Sequence, residues 1–120
     1  MSYDPSNIFA RILLGELPCK KIAEDEHTLA FEDINPQAPV HILVIPKGSY
    51  VDWSDFTRNA SDAEHSAFTK MIGYVANIAG ITDSGYRVIS NSGNDGHQEV
   101  PHLHMHVLGG AAVGPMVSKR

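Results

Sequence analysis

The chain predicts an α+β fold: an antiparallel sheet of about five strands with one short amino-terminal helix and one long helix. Three observations predict it. Residues 41–46, His-Ile-Leu-Val-Ile-Pro, form a nearly continuous apolar run, as expected of a central strand covered on both faces. From Ser61 onward a capping signature precedes an apolar pattern of helical period. Residues 102–108, His-Leu-His-Met-His-Val-Leu, alternate with the period of two that marks a strand.

The elements follow in order. Ser6 is placed to cap a short helix in which Ile8, Phe9, Ile12 and Leu13 share one side and Gly15 makes the stop. Cys19 to Ala23 and Thr28 to Glu32 read as two strands of a hairpin turning at Glu24-Asp25-Glu26. The loop Asp33-Ile-Asn-Pro-Gln-Ala-Pro39 is stiffened by two prolines and leads into the strand from His41 to Pro46. Lys47-Gly48-Ser49 ends that strand, and the stretch around Trp53 reads as irregular. Ser61-Asp-Ala-Glu64 is a capping box. Phe68, Met71, Ile72, Val75, Ile78 and Ala79 then recur at helical spacing until the chain nears Gly80. Gly85 to Asn91 is a further strand, and the polar loop Ser92 to Gln98 delivers the chain to the histidine strand. Gly109-Gly110 stops it.

Composition narrows the function classes. With 120 residues, 42% of them hydrophobic, residues 1–120 are expected to form a single domain with a real core. A formal charge of −5 argues against bulk attraction to nucleic acid or a membrane surface, so neither is expected as a partner. One cysteine, Cys19, excludes an internal disulfide and a thiolate zinc cluster within one chain. The opening Met1-Ser-Tyr-Asp-Pro-Ser shows no basic region and no apolar one, and no apolar run has bilayer-spanning length. A cytoplasmic location is therefore expected.

On a strand, His102, His104 and His106 fall on one side and Leu103, Met105 and Val107 on the other. Three explanations compete. The imidazoles could form a plain solvated face. They could bind a metal, although the outer pair would lie roughly 13 Å apart at ~3.3 Å per residue, so a tetrahedral site would need His41 or His97 as well. Or they could be catalytic: a neutral imidazole attacks phosphorus, and the N–P bond formed is labile to water. His104, flanked on both sides, is then the nucleophile. A protonated neighbour could steady the developing charge, and the strand would hold the ring in place for attack.

Two longer blocks carry a resemblance. Phe31-Glu-Asp-Ile-Asn-Pro-Gln-Ala-Pro-Val-His41 with Ile-Leu-Val-Ile-Pro-Lys47, and Gly85-Tyr-Arg-Val-Ile-Ser-Asn91 with Asp95-Gly-His-Gln-Glu-Val-Pro-His-Leu-His-Met-His-Val-Leu-Gly-Gly110, resemble the histidine triad (HIT) family in its Hint branch. Asn7-Ile-Phe and Gly114-Pro-Met116 are similar to bacterial-type members, so the likeness covers nearly the whole chain. It implies a HIT-like fold and a hydrolase acting on purine nucleoside 5′-phosphoramidates and acyl-nucleotides, through a nucleotidyl-histidine that water resolves to AMP or GMP. It also implies a homodimer whose sheets join, with the helix from Ser61 at the interface.

The resemblance also distributes roles. His104 is implied as nucleophile and His106 as a group at the phosphate. His102 becomes a supporting member whose backbone carbonyl orients His104, and His41 packs beside the triad. Asp33 would bind the ribose, for which a carboxylate is well suited, although an Asx turn explains it too. Ile34 would line the base pocket where residue type alone suggests core. Asn91, Gln98 and Glu99 would surround the phosphate and leaving group, with loop N–H groups helping as in an oxyanion hole. Gly93 to Gly96 would allow close backbone approach, or simply make a turn.

No metal and no cofactor is expected, because the Cys-x-x-Cys of zinc-binding relatives is missing. The chain departs from the family pattern at His97 (commonly glycine), Glu99 (serine in animal members) and Pro101 (usually aromatic). Lys20-Lys21, Trp53, Phe56, His27 and His65 read as surface or packing residues. Rival readings are a dinucleoside polyphosphate hydrolase or nucleotidyl transferase using the same histidine, and a nucleotide-binding scaffold with vestigial activity.

Overall fold

The computed structural model describes residues 2–118. Its elements are α1 (Ile8–Leu13), β1 (Lys21–Glu24), β2 (Thr28–Glu32), β3 (Val40–Pro46), α2 (Trp53–Asn59), α3 (Asp62–Ile78), β4 (Tyr86–Ser90) and β5 (Met105–Gly109). The strands form one antiparallel sheet in the order β1-β2-β3-β5-β4, which places β5 beside the central β3. None of the described helices is long and apolar enough to cross a membrane.

Strand alternation divides the sheet into two faces with different cover. Ala30, Ile42, Val44, Met105 and Val107 pack with Phe68, Met71, Val75 and Ala76 of α3, so the long helix closes one face. Leu29, Phe31, Leu43 and Ile45 point the other way and meet Phe9 of α1. The helix α3 starts where the sequence places it. Ser61 Oγ accepts from the Glu64 N–H at 3.1 Å, and the Glu64 carboxylate accepts from the Ser61 N–H at 3.0 Å, so two orphan donors are satisfied reciprocally.

Four boundaries differ from expectation. The cap of α1 is Asn7, whose Oδ1 accepts from the Ala10 N–H at 2.9 Å, because Ser6 is already bonded to Asp4. Strand β1 begins at Lys21 rather than Cys19 and carries an irregularity between Lys21 and Ala23. The stretch around Trp53 is a helix: Asp52 caps α2 by accepting from the Asp55 N–H at 2.9 Å, and Phe56 is its only buried residue. With one buried position there is no apolar period to read. Finally, β5 begins at Met105, so His102 and His104 precede the strand.

Candidate active site

The late start of β5 has a local cause. In the β3–β5 register Val44 faces Met105, and its continuation would set Leu103 against Pro46. Proline has no N–H to give, so the ladder stops. The Leu103 N–H instead donates to the Tyr50 carbonyl at 2.8 Å, and the His102 N–H to the Val100 carbonyl at 2.8 Å. Side-chain alternation survives nonetheless: Leu103, Met105 and Val107 enter the α3 core while His104 packs edge-on against Phe9, with ring centroids 4.9 Å apart.

His102 is fully buried and His104 nearly so, so the solvated-face explanation fails for these two. Their hydrogen bonds make this possible and define both tautomers. His104 Nδ1 lies 2.8 Å from the His102 carbonyl. A carbonyl oxygen only accepts, so Nδ1 carries the proton and Nε2 keeps a free lone pair. By the same logic His102 Nε2 donates to the Pro46 carbonyl at 2.9 Å, and its Nδ1 accepts from the Tyr3 hydroxyl at 2.6 Å. Burial pushes the His102 imidazole down to about 4, against an opposing pull from the Pro46 carbonyl. Burial also lowers His104, with the His102 carbonyl pulling it partly back. Both rings are therefore neutral at pH 7, the state a nitrogen nucleophile requires.

A second chain of donors orders the other two histidines. The Gln37 N–H donates to His41 Nδ1 at 3.0 Å. His41 must then carry its proton on Nε2, which faces His106 Nδ1 at 2.9 Å and Asp33 Oδ2 at 3.3 Å. His106 Nδ1 accepts, so His106 holds its own proton on Nε2. Burial, and after it the His104 and His41 rings, push His106 down to about 4. The expectation of a protonated neighbour thus needs correction: near neutral pH His106 offers an N–H dipole, not a cation. Burial lowers His41 too, opposed by Asp33.

Asp33, His41 and His106 could offer ligand atoms to a metal within 4.8 Å of one another. The donor chemistry is against it. Coordination through His41 Nε2 would move the ring proton to Nδ1, straight into the Gln37 N–H.

His104 and His106 open into a cavity of about 450 Å³ whose wall also includes Phe9, Asp33, Ile34, Asn91 and Glu99. A larger hollow of about 790 Å³ adjoins it through Asp33, Ile34 and His41. Ile34 is 94% exposed, so the core reading of its residue type fails, and the residue stands in the wall of both hollows. Asp33 Oδ1 closes a turn by accepting from the Asn35 N–H at 2.8 Å, and the residue also stands in the cavity wall.

His102 sits behind His104, with its carbonyl on that ring as expected, and Gln98 lies outside the cavity wall. Gln98 ties its own loop: Oε1 accepts from the Gly93 N–H at 2.9 Å, and Nε2 donates to the Val51 and Val100 carbonyls at 2.6 and 3.0 Å. The same loop leaves Gly96 no room for a side chain, since a Cβ there would collide with the Ser92 carbonyl. That residue makes a turn. Sequence reasoning missed Tyr3, the Gln37 N–H and the cavity-lining role of Phe9. Only Phe9 left a signal, in the apolar stripe of α1.

Comparison with known proteins identifies the family and the fold. Residues 14–113 match the HIT domain. A 13.2 kDa HIT-like protein of Azospirillum brasilense is 59% identical over 118 residues, covering 98% of this chain and 97% of that one. The purine nucleoside phosphoramidase of Escherichia coli K12 is 44% identical over 117 residues, with 94% of each covered. A HIT family hydrolase from Clostridium thermocellum superposes with a TM-score of 0.85 at 40% identity, over 94% of this chain and 97% of that one. A histidine triad protein from Clostridium difficile gives 0.83 at 40% identity, over 97% of this chain and all of that one. The α+β architecture with its five-stranded antiparallel sheet is the HIT-like fold, and this chain belongs to the HIT family.

Proposed function

We propose that this chain hydrolyses purine nucleoside 5′-phosphoramidates and acyl-nucleotides through a nucleotidyl-histidine on His104, releasing AMP or GMP. The observation that carries the reading is the 2.8 Å bond from His104 Nδ1 to the His102 carbonyl, which bares Nε2 at the wall of the cavity. The Nε2 lone pair forms the N–P bond as the bond from phosphorus to the leaving nitrogen breaks, and that nitrogen takes a proton from solvent as it departs as the free amine. The ring then holds a positive charge, and its Nδ1–H bond to the carbonyl strengthens. Water attacks the phosphorus next and returns a proton to solvent, the histidine–phosphorus bond breaks, and the ring returns to its neutral form.

The rest of the wall has a complementary part. Among the described residues no lysine or arginine lines the cavity, and the donors they offer a phosphate are neutral: the His106 Nε2–H, the Asn91 amide and backbone N–H groups. Asp33 accepts from ribose hydroxyls and Ile34 covers the base. The enzyme acts as a homodimer: β4 is a sheet edge whose Tyr86 and Val88 stay exposed, as do Tyr74 and Ile78 of α3.

Mixing wild-type protein with a labelled adenosine 5′-phosphoramidate and quenching rapidly tests the proposal. Label on the protein, resistant to base and released by acid, is the expected result, with His104→Ala inactive, unlabelled and folded. Turnover without covalent label, or turnover by His104→Ala, overturns it.

A further inference from the structure

His97 holds a left-handed backbone conformation that few non-glycine residues adopt. Its φ is +61°, and it is the one non-glycine residue with positive φ among the described residues. Packing does not compensate, since the side chain is 86% exposed. The residue stands in the wall of the His104 cavity, with Nε2 3.2 Å from Glu99 Oε1, and the Glu99 side chain is 76% exposed. The Gln98 ties between the two residues hold this loop in place. A strained, unburied residue at the rim of a catalytic cavity is a candidate for a role in binding.

Attack geometry says what the rim would meet. In an in-line displacement the leaving atom lies across phosphorus from the nucleophile. His104 is buried at the base of the cavity, so the leaving group is directed to the open side, where His97 and Glu99 stand. Among the described residues the charged side chains of the wall are Asp33 and Glu99, both acidic, with no lysine or arginine beside them.

We propose that His97, by donating to Glu99, fixes a carboxylate at the rim that selects leaving amines bearing an additional positive charge. His97 is here a positioning residue and Glu99 the contact. The inference rests on the phosphoramidase reading and extends it to the leaving group.

Three adenosine 5′-phosphoramidates of matched length test it, their leaving amines ending in a methyl, an ammonium or a carboxylate group. A unit charge about 4 Å from the carboxylate in water corresponds to about a five-fold effect. The wild type should therefore favour the ammonium substrate about five-fold over the methyl one in kcat/KM, and disfavour the carboxylate one similarly. E99Q should bring the three ratios together.

H97G loses the donor and relaxes the backbone, so it should melt no lower than the wild type while the ratios shrink. H97N keeps an N–H donor and tolerates positive φ, so it should retain most of the selectivity. Equal kcat/KM for the three substrates in the wild type overturns the inference while leaving the phosphoramidase reading intact. Turnover of none of them overturns that reading instead. Undiminished ratios in H97G, or ratios in H97N as small as those in H97G, exclude His97 as the residue that holds Glu99.

Discussion

Replacing His102 by glutamine isolates the stability cost of keeping an imidazole neutral inside the protein. Glutamine offers one amide donor and one carbonyl acceptor, so it can serve the Pro46 carbonyl and the Tyr3 hydroxyl, and it does not titrate. In the wild type the unfolded chain takes up a proton at His102 as pH falls through about 6.5, whereas the folded protein resists until about 4. Stability from this residue is therefore complete above pH 6.5, falls below it, and has gone by about pH 4. The gap is about 3 kcal/mol at ~1.36 kcal/mol per decade of proton activity, and about 2 kcal/mol of it is lost between pH 7 and pH 5. Urea denaturation of both proteins at pH 7, 6 and 5 reads the difference. The wild type should lose about 2 kcal/mol more than His102→Gln over that range, because His41, His104 and His106 contribute alike to both. Parallel curves would refute the burial argument for His102.

Other perturbations address separate parts of the structure. Tyr3→Phe strands the buried His102 Nδ1 without its donor and should cost about 1–3 kcal/mol in the same denaturation assay at pH 7. Gln98→Ala removes three bonds, one each to Gly93, Val51 and Val100. It should raise KM for a phosphoramidate more than it lowers the melting temperature, which steady-state kinetics and thermal melts compare directly. Ser61→Ala breaks the capping box far from the cavity and should destabilise by about 1 kcal/mol with kcat unchanged.

Local features were legible in the sequence and long-range ones were not. Ser61 and Glu64 announce the start of α3 because the motif is complete within four residues. The alternation of residues 102–108 correctly assigns Leu103, Met105 and Val107 to one side, since side-chain direction survives the loss of ladder pairing. The extent of β5 was hidden because it depends on Pro46, which belongs to another strand. The neutrality of the histidines was hidden for a related reason. It follows from burial under Phe9 and the Tyr3 segment, about a hundred residues away along the chain. Ile34 shows the limit of residue type as a guide: an isoleucine reads as core, and only the resemblance assigned it to a pocket edge, where it is exposed. Gln98 shows the converse, a residue at a family binding position whose amide is consumed by its own loop.

The group that orients the His104 ring is a peptide oxygen rather than a carboxylate side chain. Every amino acid that could be installed at position 102 brings the same oxygen with it. A saturation mutagenesis screen would thus find no codon whose change deletes this acceptor, and it would count only the indirect damage of a displaced main chain. Selection can erase the His104 ring in a single step, but it has no comparably simple route to erasing its orienting partner.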